Sequence, residues 1–223
     1  MKADDFTILK IRDYLCSGSI SMFDFYSELI DRAMKVDKKF NLLSSFEKEF
    51  ILKQVNSLSE DRKKGETEGA LFGVPFFVSE NFKTSDVFFE KNFDYSDVST
   101  SNYSTLIRRM LNEGAVLLGK TKDSNLKDFF LCSEIKNPRH NDFSAGVTAA
   151  SSAVSVSTGV VPISLATQNN ISLIVNAAYC GVYGYKPTRK LVPLTGVKTI
   201  SSTFDNAGFD IGENEASTNF DNA

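Results

Sequence analysis

Two hydrophobic periods alternate along this chain, and the alternation limits the folds open to it. Short, almost continuously apolar runs occur at residues 71–78, 115–118, 160–165 and 182–185. They have the length and character of strands buried on both faces. Between them lie segments with helical spacing. Residues 104–113 place Leu106, Ile107, Met110 and Leu111 on one face, and Gly114 is set to end the helix. Residues 123–131 read as helix. Residues 147–158 have the Ala, Ser and Val content of a closely packed internal helix, and 172–179 form another helical stretch. Strands interleaved with helices imply an α/β fold, a mixed sheet covered by helices on both faces.

The first 68 residues read differently. Ile8, Ile11 and Leu15 make a short apolar stripe that Gly18 stops. Ser21 and Asp24 form a capping box before a longer helix with Met22, Phe25, Tyr26, Leu29, Ile30 and Ala33 on its apolar face. A third helix is expected at 46–58, and the charged stretch 59–68 as a solvated connection. The expected organisation is a helical segment over 1–68, an α/β core over 69–211 and a polar, disordered tail over 212–223.

Composition excludes several classes. Of 223 residues, 42% are hydrophobic and 24% charged, enough apolar material for a real core. The net charge of −3 leaves no basic field for direct nucleic-acid binding. The apolar runs are far too short to span a bilayer, so no membrane contact is expected. Residues 1–5 lack an apolar or Arg-rich presequence. Three cysteines, Cys16, Cys132 and Cys180, are odd in number and widely spaced, as thiols in a reducing compartment would be. With a single histidine, His140, no metal cluster is expected. The expectation is a cytoplasmic protein with no cofactor and no metal.

Three blocks carry sharper information. The stretch Ala177-Ala178-Tyr179-Cys180-Gly181-Val182-Tyr183-Gly184-Tyr185-Lys186-Pro187-Thr188 follows the pattern small-small-aromatic-Cys-Gly-aliphatic-x-Gly-x-Lys-Pro-Thr. Gly69-Ala70-Leu71-Phe72-Gly73-Val74-Pro75 is followed by Asn81, and Gly114-Ala115-Val116-Leu117-Leu118-Gly119-Lys120-Thr121 follows a helix. Together these blocks resemble the amidase-signature family, in unbroken order from residue 8 to 208. The N-terminal helices are similar to those of the glutaminase (A) subunits of glutamyl-tRNA(Gln) amidotransferases. The resemblance implies the amidase-signature fold with its C-terminal half missing. As partners it implies amidotransferase subunits of the B and C type, or a chain that completes the fold.

Members of this family hydrolyse amides with a Ser–Ser–Lys triad. A serine hydroxyl is a weak nucleophile until a neighbour takes its proton, and a buried lysine of lowered pKa can do so. Matched position by position, the nucleophile is Ser172. The lysine position holds Ser79, and the bridging (cis) serine position holds Ala149. Thr148 keeps a hydroxyl one residue out of register. The oxyanion turn, Asp-Thr-Gly-Gly-Ser in the family, reads Gln168-Asn169-Asn170-Ile171-Ser172. Ile171 stands in place of a glycine, and Ile174 where the family has an arginine. The resemblance thus implies an amide hydrolase, of glutamine in the tRNA-linked branch, that has lost catalysis and become a pseudoenzyme.

Two other readings stand beside it: an active amidase or glutaminase rearranged around Ser172, with Lys83 as a displaced base, and a non-enzymatic scaffold or decayed fragment. Ser172 also reads as the N-cap of the helix that follows. Cys132 and Cys180 read as buried, inert thiols. His140, in a polar loop over 137–143, reads as a capping or solvent-facing residue.

Overall fold

Hydroxyls open the first two helices: Ser21 at the position its capping box predicts, and Thr7 without a sequence expectation. Thr7 accepts the Lys10 amide at 3.2 Å to start α1 (Ile8–Ser17), which ends at Gly18. Ser21 accepts the Asp24 amide at 3.4 Å to start α2 (Met22–Phe40). The expected stripe of α2, from Met22 to Ala33, is buried throughout. The Tyr26 hydroxyl donates to the Gly73 carbonyl at 2.8 Å, tying this helix to the sheet. This computed structural model describes residues 6–64, 69–84, 103–122 and 134–212. The helix expected over 123–131, Cys132 and the tail beyond Gly212 lie outside these residues.

The third helix differs from expectation. Phe46 closes a strand, β1 (Leu43–Phe46), and α3 runs over Lys48–Lys63. Glu47 between them is extended, at φ −122° and ψ 102°. Residues 59–63 continue the helix instead of forming a connection, because long charged side chains are good helix formers on a solvent face. Arg62 also has a task there. Its guanidinium donates to the Leu15 carbonyl at 2.8 Å and to the Cys16 carbonyl, which satisfies the exposed end of α1.

The remaining elements are β2 (Pro75–Ser79), α4 (Thr105–Asn112), β3 (Val116–Thr121), β4 (Lys136–Asn137), β5 (His140–Ser144), α5 (Ala150–Ser157), β6 (Ile163–Gln168), α6 (Ser172–Cys180), β7 (Tyr183–Tyr185) and β8 (Asn206–Ile211). Among the described residues, six strands make one mixed sheet in the order β1-β3-β2-β6-β8-β7. The central strands β3, β2 and β6 are parallel; β1, β8 and β7 join antiparallel. Every residue of β2 is buried, as a central parallel strand requires. Phe76, Val78, Leu117 and Leu165 face a core shared with Ile107 and Met110 of α4. Phe77, Val116 and Leu118 face the opposite core, with α1, α2, α3 and Val156 of α5.

A register shift between Phe76 and Phe77 leaves β3 with a bulge beside β2. There the Gln54 side chain of α3 acts as a substitute strand. It accepts the Leu117 amide at 3.1 Å and donates to the Leu117 carbonyl at 2.9 Å.

Candidate active site

Strands β2 and β6 are parallel neighbours, so their carboxyl ends lie side by side, the place where α/β sheets hold ligands. Ser79 is the last residue of β2 and is fully buried. Val78 pairs with Leu165, which sets Ser79 beside Ala166 one step further on. Ala166 packs against Ala149 and Leu173, and Leu173 follows Ser172. The elements that carry the three positions matched from the sequence thus meet near the carboxyl ends of the two strands.

The start of α6 differs from the capping expectation. Ile171 occupies the cap position and Ser172 is the first helical residue. Among the described residues, the Ser172 hydroxyl makes one hydrogen bond, donating to the Thr167 carbonyl at 3.5 Å. Gln168 does the capping. Its Oε1 accepts the Ile174 amide at 3.1 Å, and its Nε2 donates to the Asn170 carbonyl at 2.8 Å. One side chain therefore straps the turn to the first turn of the helix. Ile171 sits at φ −129° and ψ −8°, a geometry open to any residue, so this turn lacks a glycine-only conformation. Asn169 is half-buried and Asn170 exposed.

On the other side, the loop before α5 is clamped to α6 by Asn176. This buried amide accepts the Val147 amide at 2.8 Å and donates to the Thr148 carbonyl at 2.7 Å. The clamp needs Gly146: its φ is 133°, and a Cβ there would lie 2.1 Å from Asn176 Oδ1. Ala149 has a left-handed backbone, φ 64°, and only a methyl to offer. Thr148 Oγ1 beside it is buried with no hydrogen-bond partner among the described residues. The Lys83 backbone accepts from the Ser104 amide at 2.8 Å and donates to the Gly196 carbonyl at 2.8 Å.

Deeper under α5 lies an acid. Asp210 of β8 pairs with Ser164 of β6 and is buried. Among the described residues, neither carboxyl oxygen nor the Ser164 hydroxyl has a hydrogen bond of normal geometry. Burial raises the Asp210 carboxyl to about 7, and the neighbouring Ser152 hydroxyl eases the shift. Burial, with Asp210 nearby, pushes the Cys180 thiol up to about 12 against the opposing pull of Arg139. That thiol donates to the Ala145 carbonyl at 3.6 Å and is a poor nucleophile.

The segment expected as a polar loop over 137–143 belongs to the hairpin β4–β5, with His140 exposed on β5 and its ring 4.8 Å from that of Phe143. The hairpin serves α6. Asn137 donates to the Tyr179 carbonyl at 2.7 Å, and Arg139 to the Cys180 and Gly181 carbonyls at 2.9 Å each. These are the carbonyls a helix leaves open at its C-terminus.

Gln168, Asn176 and Asp210 carry structure that sequence reasoning missed. Asn176 had a readable signal, as a lone amide within an otherwise apolar helix. Asp210 had none in its own identity.

An open mixed α/β sheet, with a serine-headed helix at the carboxyl ends of two central parallel strands, defines the class of domain. The chain belongs to the amidase family: the family model described as Amidase matches residues 24–210. It is similar to the A-type subunit of the glutamyl-tRNA(Gln) amidotransferase of Fusobacterium nucleatum subsp. nucleatum, 28% identical over 217 residues, covering 92% of this chain and 43% of that protein. The corresponding protein of Natranaerobius thermophilus is 27% identical over 93% of this chain and 44% of its own length. The peptide amidase of Stenotrophomonas maltophilia shares the fold with a TM-score of 0.79 at 22% identity, over 92% of this chain and 45% of that one. The chain spans less than half the length of the curated relatives it matches.

Proposed function

We propose that this chain is a catalytically silent amidase-family domain, of the branch that holds the A-type amidotransferase subunits, serving as a binding or scaffold module. One observation carries the reading. At the end of β2, where the resemblance places the catalytic lysine, a fully buried Ser79 offers a hydroxyl. A hydroxyl has no basic nitrogen with which to take a proton from Ser172. The Thr167 carbonyl bonded to Ser172 accepts a hydrogen bond but removes no proton. Ala149 supplies no relay. Loss of one member of such a unit typically lowers the rate by about 10⁴, and further losses add little. The names of the two amidotransferase relatives support the branch, with B- and C-type subunits as candidate partners.

The test is ammonia release from glutamine and simple amides. The expected rate equals that of Ser172→Ala; turnover that vanishes in this variant would overturn the reading.

A second reading, a live site rearranged around Ser172, is favoured by one feature. The Thr148 hydroxyl is buried, unbonded and fixed to α6 through Asn176, as a proton relay would be. On that reading Thr148→Val abolishes a measurable turnover, whereas on the first it changes nothing.

A further inference from the structure

The packing beneath α5 buries several oxygens at one place. In the antiparallel pair β6–β8, Ser164 stands opposite Asp210, so their side chains share one face of the sheet, the face that α5 covers. Asp210 is 1% exposed, and Ser164 and Ser152 are fully buried. From α5 the Ser152 hydroxyl donates to the Ser164 carbonyl at 3.4 Å and lies beside the Asp210 carboxyl. Among the described residues, both Asp210 carboxyl oxygens and the Ser164 hydroxyl have no hydrogen-bond partner. Interiors seldom leave polar atoms so, and three together point to a bound guest.

The surroundings supply no countercharge. Helix α5 (ASSAVSVS) and strand β6 (ISLATQ) have no ionisable side chain. On β7, Gly184 pairs with Asp210 and has no side chain, while Tyr183 and Tyr185 beside it are exposed. From α6 comes the Cys180 thiol, held protonated. Arg139 is committed to the Cys180 and Gly181 carbonyls.

The donor set selects the class of guest. It is all hard oxygen, one carboxylate with hydroxyls and backbone carbonyls. Among the described residues, no three carboxyl, imidazole or thiol groups meet, so a transition metal or calcium lacks its ligands. One carboxylate carries one negative charge. A monovalent cation cancels it, whereas a divalent ion would bury a net positive charge and a water would leave the negative one. We propose that Asp210, Ser164 and Ser152 form a buried site for a small monovalent cation of the sodium class, which pins α5 to strands β6 and β8. The cation takes the place of the carboxyl proton, so binding releases one proton and weakens in acid. The site stands apart from the chemistry at Ser172.

The test follows urea unfolding of the full chain at pH 8 in mixtures of sodium and choline chloride at constant ionic strength. Raising sodium from about 20 to about 200 mM should raise the folding constant about three- to tenfold, offsetting part of the cost of the buried charge. At pH 4, where the proton holds the carboxyl, the same change should do nothing. Asp210→Asn should abolish the sodium effect at pH 8. Ser164→Ala should reduce it while keeping the pH dependence of the acid. The sodium NMR signal should broaden with the folded wild type and not with Asp210→Asn. Stability that follows ionic strength alone, an equal sodium effect in Asp210→Asn, or magnesium acting as strongly as sodium at matched ionic strength would each overturn the proposal.

Discussion

Replacing Asp210 with asparagine tests the energetics of the interior directly. The carboxyl sits in the folded chain at about 7, against a model-peptide value of 3.8. Below pH 4 both folded and unfolded chains hold the proton, and the acid adds no pH-dependent cost. Between pH 4 and 7 the unfolded chain has released the proton and the folded chain keeps it. Stability therefore falls as pH rises, by about 1.4 kcal/mol per pH unit from this group. Above pH 7 the loss is complete, at about 4 kcal/mol, a large part of a domain's total stability. Asp210→Asn keeps the shape and removes the titration. The assay is urea unfolding of wild type and variant from pH 4 to 8.5, at low protein concentration near the isoelectric point of about 5.3. The variant should match wild type at pH 4 and exceed it by several kcal/mol at pH 8. A difference that stays flat with pH, or a variant less stable at pH 8, would refute the reasoning.

Other perturbations follow from the same structure. Asn176→Ala leaves the Val147 amide and the Thr148 carbonyl without partners and should cost about 3 kcal/mol in denaturant unfolding. Ala149→Gly relieves a left-handed alanine and should raise stability by about 0.5–1 kcal/mol, read as a higher unfolding midpoint. Cys180, held protonated up to about 12, should resist iodoacetamide at pH 8 in the folded chain and react only in urea, whereas half-buried Cys16 reacts earlier; mass spectrometry of the labelled peptides distinguishes them.

Periodic elements are legible in the sequence, and elements that depend on distant partners are not. The stripe of α2 follows from spacing alone, because that helix buries one face against a larger body. Phe46 reads as helix because its neighbours fit the same period; pairing with Gly119 makes it strand. β8 is hidden although Ala207, Phe209 and Ile211 alternate, because Asn206, Gly208 and Asp210 between them look like turn residues. The hairpin β4–β5 is polar because its task is to bond the end of α6, a role no local pattern announces. At the candidate site, the residue types at Ser79, Ala149 and Ser172 are readable from the motif. Their surroundings are not: Ser172 reads as a cap on sequence grounds, and only the fold shows Gln168 doing that work.

The Gln168 strap bears on how such a domain can evolve. The family pattern has aspartate at this position, and aspartate can accept the Ile174 amide but has no N–H to give the Asn170 carbonyl. Reversion at 168 alone would therefore undo half of a bond pair without restoring a base at 79 or a hydroxyl at 149. On the proposed silent reading, that step meets a stability cost before any catalytic gain, because gains within a triad arrive together. On that reading the strap acts as a ratchet: with the turn settled around glutamine, loss of hydrolysis is easier than its return.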